Sequence, residues 1–454
     1  VAGALASVAP AAWFVGGAVR DAATARSITD IDIVVRGEAK PAARAVHSAL
    51  GGDIFSLSDR FGTWRVLTPF GFQVDVSELR GDTIESDLAE RDFTINAMAR
   101  AVDGGDLVDP YDGAGDLAEG RLRAVSERVF ADDPLRLLRL VRQAITLGLT
   151  IDPATGTAAS AQAALAAEPA PERSFAELRA IVGSDSPVSG IELLDSLGLL
   201  AVVLPELSAL KGVEQTRYHH KDVYGHTLEV LERIVELERS DYELFGDSAP
   251  ALECSLAAVL ADELTFAGGL RWAALLHDIA KPETRVVHEG GRVGFPGHDK
   301  LGTSMVRQIC RRLHTSERFA GYVSALTREH MRLGFLVPER PLSRRELHRY
   351  LVATEPVEVE VGVLSVADRL STRGHKHEKS IPPHIELAVE ITAAALERRA
   401  HPQAPLVRGD QLATALGIET GPKVGELLAE IAEAQFAGEL SDVDAAIELA
   451  RSAL

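Results

Sequence analysis

Asp30 and Asp32 stand two residues apart in the apolar run Thr29-Asp-Ile-Asp-Ile-Val-Val35, downstream of a Gly16-Gly17 pair and of Arg20-Asp21. A segment this rich in Ile and Val is expected to be a strand. Its period of two places both carboxylates on one face and Ile31 and Ile33 on the other. The glycine pair makes a turn without side chains, where backbone can approach a phosphate closely. Two carboxylates on a rigid strand beside such a turn can hold Mg2+ ions against a triphosphate, as phosphoryl and nucleotidyl transfer require. Asp-x-Asp alone is more often a solvated strand end. The glycine turn and Arg20-Asp21 are what favour chemistry.

The elements that must position these groups follow from the next hundred residues. Residues 13 to about 110 alternate between strand and helix patterns, with a helical run at 42–50 and strands at 53–57, 64–68 and 72–76. Asp75, flanked by Val74 and Val76, is expected to point away from both. If its strand lies beside the Asp30/Asp32 strand, Asp75 becomes a third carboxylate near the metals; an exposed sheet face is the alternative. Arg91 and Asp92 follow in Asp87-Leu-Ala-Glu-Arg-Asp-Phe-Thr-Ile-Asn-Ala-Met-Ala99, and a guanidinium fork suits a phosphate. Asp109-Pro-Tyr-Asp-Gly-Ala-Gly-Asp-Leu117 reads as a turn. In Ala131-Asp-Asp-Pro-Leu-Arg-Leu-Leu-Arg139, Pro134 suits the first turn of a helix with Asp133 as its N-cap. Arg136 and Arg139 then share a face.

Composition bounds the rest. At 454 residues the chain exceeds one compact core, and two to four domains are expected. Few aromatics and abundant Ala and Leu favour helices. Cys254 and Cys310 are far apart and outside any metal-ligand spacing, which fits a reducing, cytoplasmic setting. The uncharged stretch before Arg20 lacks a basic leader, contains Pro10 and runs straight into the glycine turn, so it is not expected to be a secretion signal. No run of about 18 apolar residues suits a membrane helix. A net charge of −20 argues against indiscriminate nucleic-acid binding. Basic clusters between Arg121 and Arg142 and between Lys300 and Tyr350 leave room for local RNA contacts.

Taken together, the Gly16–Val35 block and the motifs at 87–99, 109–117 and 131–139 resemble the class II tRNA nucleotidyltransferase and bacterial poly(A) polymerase family. The resemblance implies an α+β multidomain chain: a nucleotidyltransferase palm (1–125, a mixed sheet with helices), then all-α neck (126–212), HD (213–375) and tail (376–454) domains. It implies Asp30, Asp32 and Asp75 as catalytic carboxylates, the first two on Mg2+. Gly16, Gly17, Arg20, Arg91, Asp92 and Arg139 would contact the nucleotide, and Asp133 and Arg136 would read the base of CTP or ATP. Pro171-Glu-Arg-Ser-Phe-Ala-Glu-Leu178 resembles the last family motif, which braces the neck. The implied reaction is addition of C, or of the full CCA, to tRNA 3′ ends from CTP and ATP, with CC addition alone or poly(A) synthesis as alternatives. Two departures stand out: Glu90 replaces the first Arg of the family's Arg-Arg-Asp motif, and only Gly81 to Ser86 separates Arg80 from Asp87. Members that build the full CCA end carry a longer flexible loop there.

A second cluster lies downstream. His226, His277-Asp278, His298, His330 and Asp368 occur in an order that resembles the HD superfamily of helical metal-dependent phosphohydrolases. Imidazoles with carboxylates suit a divalent transition metal such as Mn2+ or Ni2+. His298 and His330 would complete a second metal position or bind phosphate. A second reading of the chain is therefore an HD phosphohydrolase with an inactive front. His219, His375, His377 and His401 are expected at the surface. Pro382, Pro383, Pro402 and Pro405 suggest a hinge before the tail, where Gly421-Pro-Lys-Val-Gly425 would cap a helix able to hold an RNA phosphate.

Overall fold

The computed structural model describes the chain except residues 6, 7, 10, 59–61, 217, 375 and 376. Pro10, His375 and the side chain of His377 therefore lie outside the described residues. Two compact units emerge, Val1–Val203 and Leu204–Leu454.

The first unit begins with a mixed sheet. Its strands are β1 (Ala12–Val15), β2 (Asp30–Val35), β3 (Asp53–Ser58), β4 (Thr63–Leu67), β5 (Gln73–Glu78), β6 (Ala99–Ala101) and β7 (Leu107–Val108), in the order β3-β4-β5-β2-β1-β6-β7. β2 runs parallel to β5 and antiparallel to β1. Alternation sorts the side chains as the sequence predicts. Ile31, Ile33, Val35, Val66, Val74 and Val76 pack with Ala42, Ala43 and Val46 of the helix Ala39–Leu50. Each fully buried aliphatic of this layer contributes about 1.5–3 kcal/mol. The layer fixes the register, because a one-residue slip of β2 would bury the carboxylates and expose Ile33. Further helices complete the unit: Arg136–Leu147 buries Leu137, Leu138, Leu140 and Val141, and Pro171–Val182 buries Phe175, Leu178 and Ile181.

Among the described residues the second unit is helical apart from two small hairpins. The helices Val223–Arg239, Phe266–Leu276, Glu317–Glu329 and Glu358–Leu370 pack around one another, with Trp272, Phe319 and Val363 buried. Gly409–Leu416, Pro422–Ala437 and Val443–Ser452 enclose a separate small core of Leu412, Val424, Leu427, Ile431 and Ala446. The expected hinge is corrected in part: Pro382 and Pro383 lie inside the continuous helix His377–Ala400. Each removes one backbone donor from the helix ladder. Leu387, Ala388, Ile391 and Ala395 bury the rest of the helix. Among the described residues no helix is long and apolar enough to cross a membrane.

Candidate active sites

β1 ends at Val15, and Gly16 turns the chain into the helix Gly17–Ala23 with φ +66°. A methyl group on Gly16 would lie 3.0 Å from Arg91 Nη1 and 3.2 Å from Asp32 Oδ2, so both the backbone angle and the close approach require glycine. Asp32 pairs directly with Val15 on one side and with Asp75 on the other, while Asp30 at the strand start is exposed. The structure thus brings Asp30, Asp32 and Asp75 to one face. Asp75 is also held by Arg65 through two bonds of 2.7 Å. Burial pushes the Asp32 carboxyl above its usual range; Arg91 opposes this and the neighbouring Asp75 adds to it. A half-solvated cluster of hard oxygen donors with excess negative charge fits Mg2+.

The remaining groups form one connected network. Arg20 bonds Asp21 at 2.8 Å and Asn96 Oδ1 at 2.7 Å. Asn96 Nδ2 donates to Asp92 Oδ1 and to Gln143 Oε1, both at 2.9 Å. Arg139 pairs with Asp92 Oδ2 at 2.8 Å. Burial opposes the Asp92 charge, but Arg139, Asn96 and the Phe93 N–H outweigh it and hold the carboxyl below its usual range. Arg91 bonds the buried Asp87 at 2.9 Å, leaving its Nη1 near the glycine turn. Beneath this layer, Asp116 accepts from Thr94 Oγ1 at 2.6 Å and from Arg123 at 2.9 Å. Gly113 approaches the Thr94 carbonyl so closely that a Cβ would sit 2.1 Å from it. The 109–117 motif is a plinth for the segment that carries Asp92 and Asn96.

Asp133 and Arg136 adjoin this network. Arg136 Nη2 donates to the Glu90 carbonyl at 2.6 Å, and Arg173 reaches Asp133 at 3.3 Å. Arg142 bonds Glu177 at 2.5 Å, so two residues of the 171–178 motif clamp this helix. Asp133 caps as expected, its Oδ1 accepting from the Leu135 N–H at 3.2 Å, although the regular α-helix starts only at Arg136. Bonds from Arg136 N to Asp133 O and from Leu137 N to Pro134 O close a tighter turn ahead of the helix.

In the second unit, Asp278 is a hub. Its Oδ2 lies 3.1 Å from His277 Nε2 and 3.7 Å from His226 Nε2. Its Oδ1 lies 3.3 Å from His298 Nε2 and 3.7 Å from His330 Nε2. Asp368 Oδ1 stands 3.1 Å from His226 Nε2. The Nδ1 atoms of His277, His298 and His330 face the carbonyls of Ala274, Phe295 and Thr327 at 2.9, 2.7 and 2.7 Å. In the neutral imidazole, Nδ1–H donation there makes Nε2 the atom able to ligate. His277 Nε2 and Asp278 Oδ1 are buried without a hydrogen bond of acceptable geometry. Among the described residues, two groups have metal-ligand proximity, His226/His277/Asp278 and Asp278/His298/His330. Imidazoles, carboxylates and orphaned buried atoms fit divalent transition metals. Burial disfavours the Asp278 charge, yet His277 and Lys281 hold its carboxyl well below the usual range. Burial pushes His330 down to about 4, which keeps its imidazole neutral at neutral pH.

Sequence reasoning missed several partners. Lys281 Nζ sits 2.6 Å from Asp278 Oδ2 and 2.7 Å from Gln215 Oε1; a lysine one turn after His-Asp was the available signal. Gln143 was visible only as a polar residue in an apolar stripe. His219 is more than a surface residue, since its ring packs edge-on against His226 at 5.0 Å and burial pushes it down to about 3.

Family models match a poly A polymerase head domain at residues 70–123, a probable RNA- and SrmB-binding site of polymerase A at 148–211, and an HD domain at 223–373. An A-adding tRNA nucleotidyltransferase of Deinococcus radiodurans is 35% identical over 95% of this chain and 93% of its own. The chain belongs to the tRNA nucleotidyltransferase and poly(A) polymerase family. Within the family, a CC-adding tRNA nucleotidyltransferase of Thermus thermophilus is 33% identical over 94% of this chain and 90% of its own. The fold is that of a Thermotoga maritima CCA-adding enzyme solved with tRNA, at a TM-score of 0.61 and 20% identity, covering 98% of this chain and 91% of that one.

Proposed function

We propose that this chain is a tRNA nucleotidyltransferase that adds C and A to tRNA 3′ ends from CTP and ATP, with a second, phosphohydrolase site in its HD domain. The observation that carries the reading is the placement of Asp32 between the Gly16 turn and Asp75, with Arg91 against the same glycine. Asp30 and Asp32 would hold Mg2+, with Asp75 beside them. Bound there, Mg2+ supplies charge neutralisation of the triphosphate and acidification of the attacking hydroxyl. The Gly16-Gly17 turn lets the triphosphate approach the backbone, and Arg20, Arg91 and Arg139 steady it and the ribose. Asp92 orients Arg139 through an ion pair and Asn96 through a hydrogen bond. Asp133 and Arg136 select the base: a carboxylate accepts the exocyclic amine that C and A share, and a guanidinium donates to the ring.

The HD ligands would be His226, His277, Asp278 and Asp368, with His298 and His330 on the second oxygen of Asp278. Mn2+ or Ni2+ held there supplies an activated water for phosphoester hydrolysis. The four segments 1–125, 126–212, 213–375 and 376–454 serve as palm, neck, HD and tail domains in this reading. The short Gly81–Ser86 connection is closed by a Thr83–Ser86 capping box and an Arg80 N–H bond to Asp87. A-addition is therefore its sharpest test. Purified chain, given labelled CTP and ATP separately and together with tRNA ending before, within and after CCA, should extend the incomplete ends and leave the complete end alone.

A further inference from the structure

The face that carries the carboxylates does not end at Asp75. Registered pairs run Asp32 to Asp75, Asp75 to Arg65 and Arg65 to Phe55, so these side chains form one row across β2, β5, β4 and the edge strand β3. Leu67 follows Arg65 by two residues and shares its face, and Leu57 sits at the bulge beside Phe55. The opposite face of these strands is buried through Ile54, Val66 and Val74 against the helix Ala39–Leu50. On the carboxylate face, Phe55, Leu67 and Leu57 remain 40%, 40% and 45% exposed. Arg65, fixed by two bonds to Asp75, is a planar cation in the middle of this apolar surface.

We infer that Phe55, Leu67 and Arg65 form a stacking shelf for the unpaired 3′ end of the RNA acceptor. The inference deepens the proposed nucleotidyl transfer and rests on it. In that reaction the terminal hydroxyl must reach Asp32, so the nucleotides before it have to cross a surface continuous with the carboxylates. Strand spacing sets Phe55 about 14 Å from Asp32. That is the reach of about four stacked nucleotides. Unpaired bases seek aromatic faces and guanidinium planes, and they tolerate sequence variation because every base has a π-face. The shelf offers both in a chain whose net charge of −20 gives little general attraction for RNA. Paired RNA has no free base to stack there and gains nothing from it.

The test compares two probes without nucleotide: a hairpin RNA with a short unpaired 3′ tail and the same hairpin with a blunt end. Phe55→Ala should weaken binding of the tailed hairpin about 5- to 150-fold. It should leave the blunt hairpin and the melting temperature unchanged, and Phe55→Tyr should restore affinity. In turnover, KM for the tailed RNA should rise with little change in KM for CTP. Equal loss on both probes, or no loss on either, overturns the shelf. So does a change in sedimentation of the free chain with Phe55→Ala, which would make β3 a contact between copies. Wild-type chain that binds the tail but incorporates no CMP would instead sink the proposed reaction.

Discussion

Asp32 and Asp75 are directly paired across the parallel strands β2 and β5, and Arg65 holds Asp75 through bidentate bonds, whereas among the described residues Asp32 has no such pair and feels Arg91 only at a distance. The two carboxylates are therefore unequal. Asp32→Asn should lower CMP incorporation at least about a thousandfold, the scale of losing a group that acts in the transition state. Asp75→Asn should cost far less. Single-turnover rates of the two variants side by side decide this, and equal losses would refute the inequality.

The same asymmetry has a stability consequence. A carboxyl whose folded pKa is raised makes the folded state gain stability as pH falls, so its charge opposes folding at neutral pH. In the absence of divalent cations, Asp32→Asn should melt at a higher temperature than wild type at pH 7. The difference should vanish in acid, where both side chains are neutral. Thermal melts in chelator across pH check the sign; a lower melting temperature for the variant at pH 7 would contradict it.

Asp92 works in the opposite direction. Its carboxyl is held below the usual range, so its contribution is complete above the unfolded carboxylate pKa and is lost as pH falls through the folded value. Asp92→Asn leaves Arg139 without its partner and should cost about 3 kcal/mol at pH 7. That gap should narrow below about pH 4. Urea unfolding at both pH values measures it.

How much of this was readable beforehand differs residue by residue. Period-two alternation was enough to put Asp30 and Asp32 on one face and Ile31 and Ile33 in the core, because that pattern is local. The neighbourhood of Asp75 was legible only as a conditional, since strand order is a property of the whole sheet. Arg65 was invisible for the same reason: its place depends on the register of β4 against β5. Pro382 and Pro383 looked like a hinge because proline opposes helices locally, while the burial of Leu387 and Ile391 that overrides it is tertiary. His219 read as a surface residue until the fold set its ring against His226.

The glycine turn gives a further expectation. Gly16→Ala combines a disfavoured positive φ with a methyl group 3.0 Å from Arg91 Nη1 and 3.2 Å from Asp32 Oδ2. CTP affinity should fall at least about tenfold, with a stability loss of roughly 1 kcal/mol. Gly17→Ala, where φ is ordinary and the nearest atom is 3.5 Å away, should be milder. Nucleotide titrations of both variants compare them directly.

The HD centre makes a prediction about stoichiometry. Both oxygens of Asp278 are committed, one toward His226 and His277 and the other toward His298 and His330. Asp278→Asn should abolish Mn2+ or Ni2+ binding altogether, whereas His330→Ala should remove only part of it. Bound metal per chain, read by elemental analysis after dialysis, separates these outcomes. Retention of full stoichiometry in Asp278→Asn would rule out its role as the shared ligand.

The most direct test of the account is transfer of label from CTP to a tRNA lacking its CCA end, by wild type, Asp32→Asn and Asp278→Asn. Wild type and Asp278→Asn should both incorporate CMP, and Asp32→Asn should not. Incorporation by Asp32→Asn, or none by wild type, would contradict the assignment of nucleotidyl transfer to the Gly16–Asp32 face.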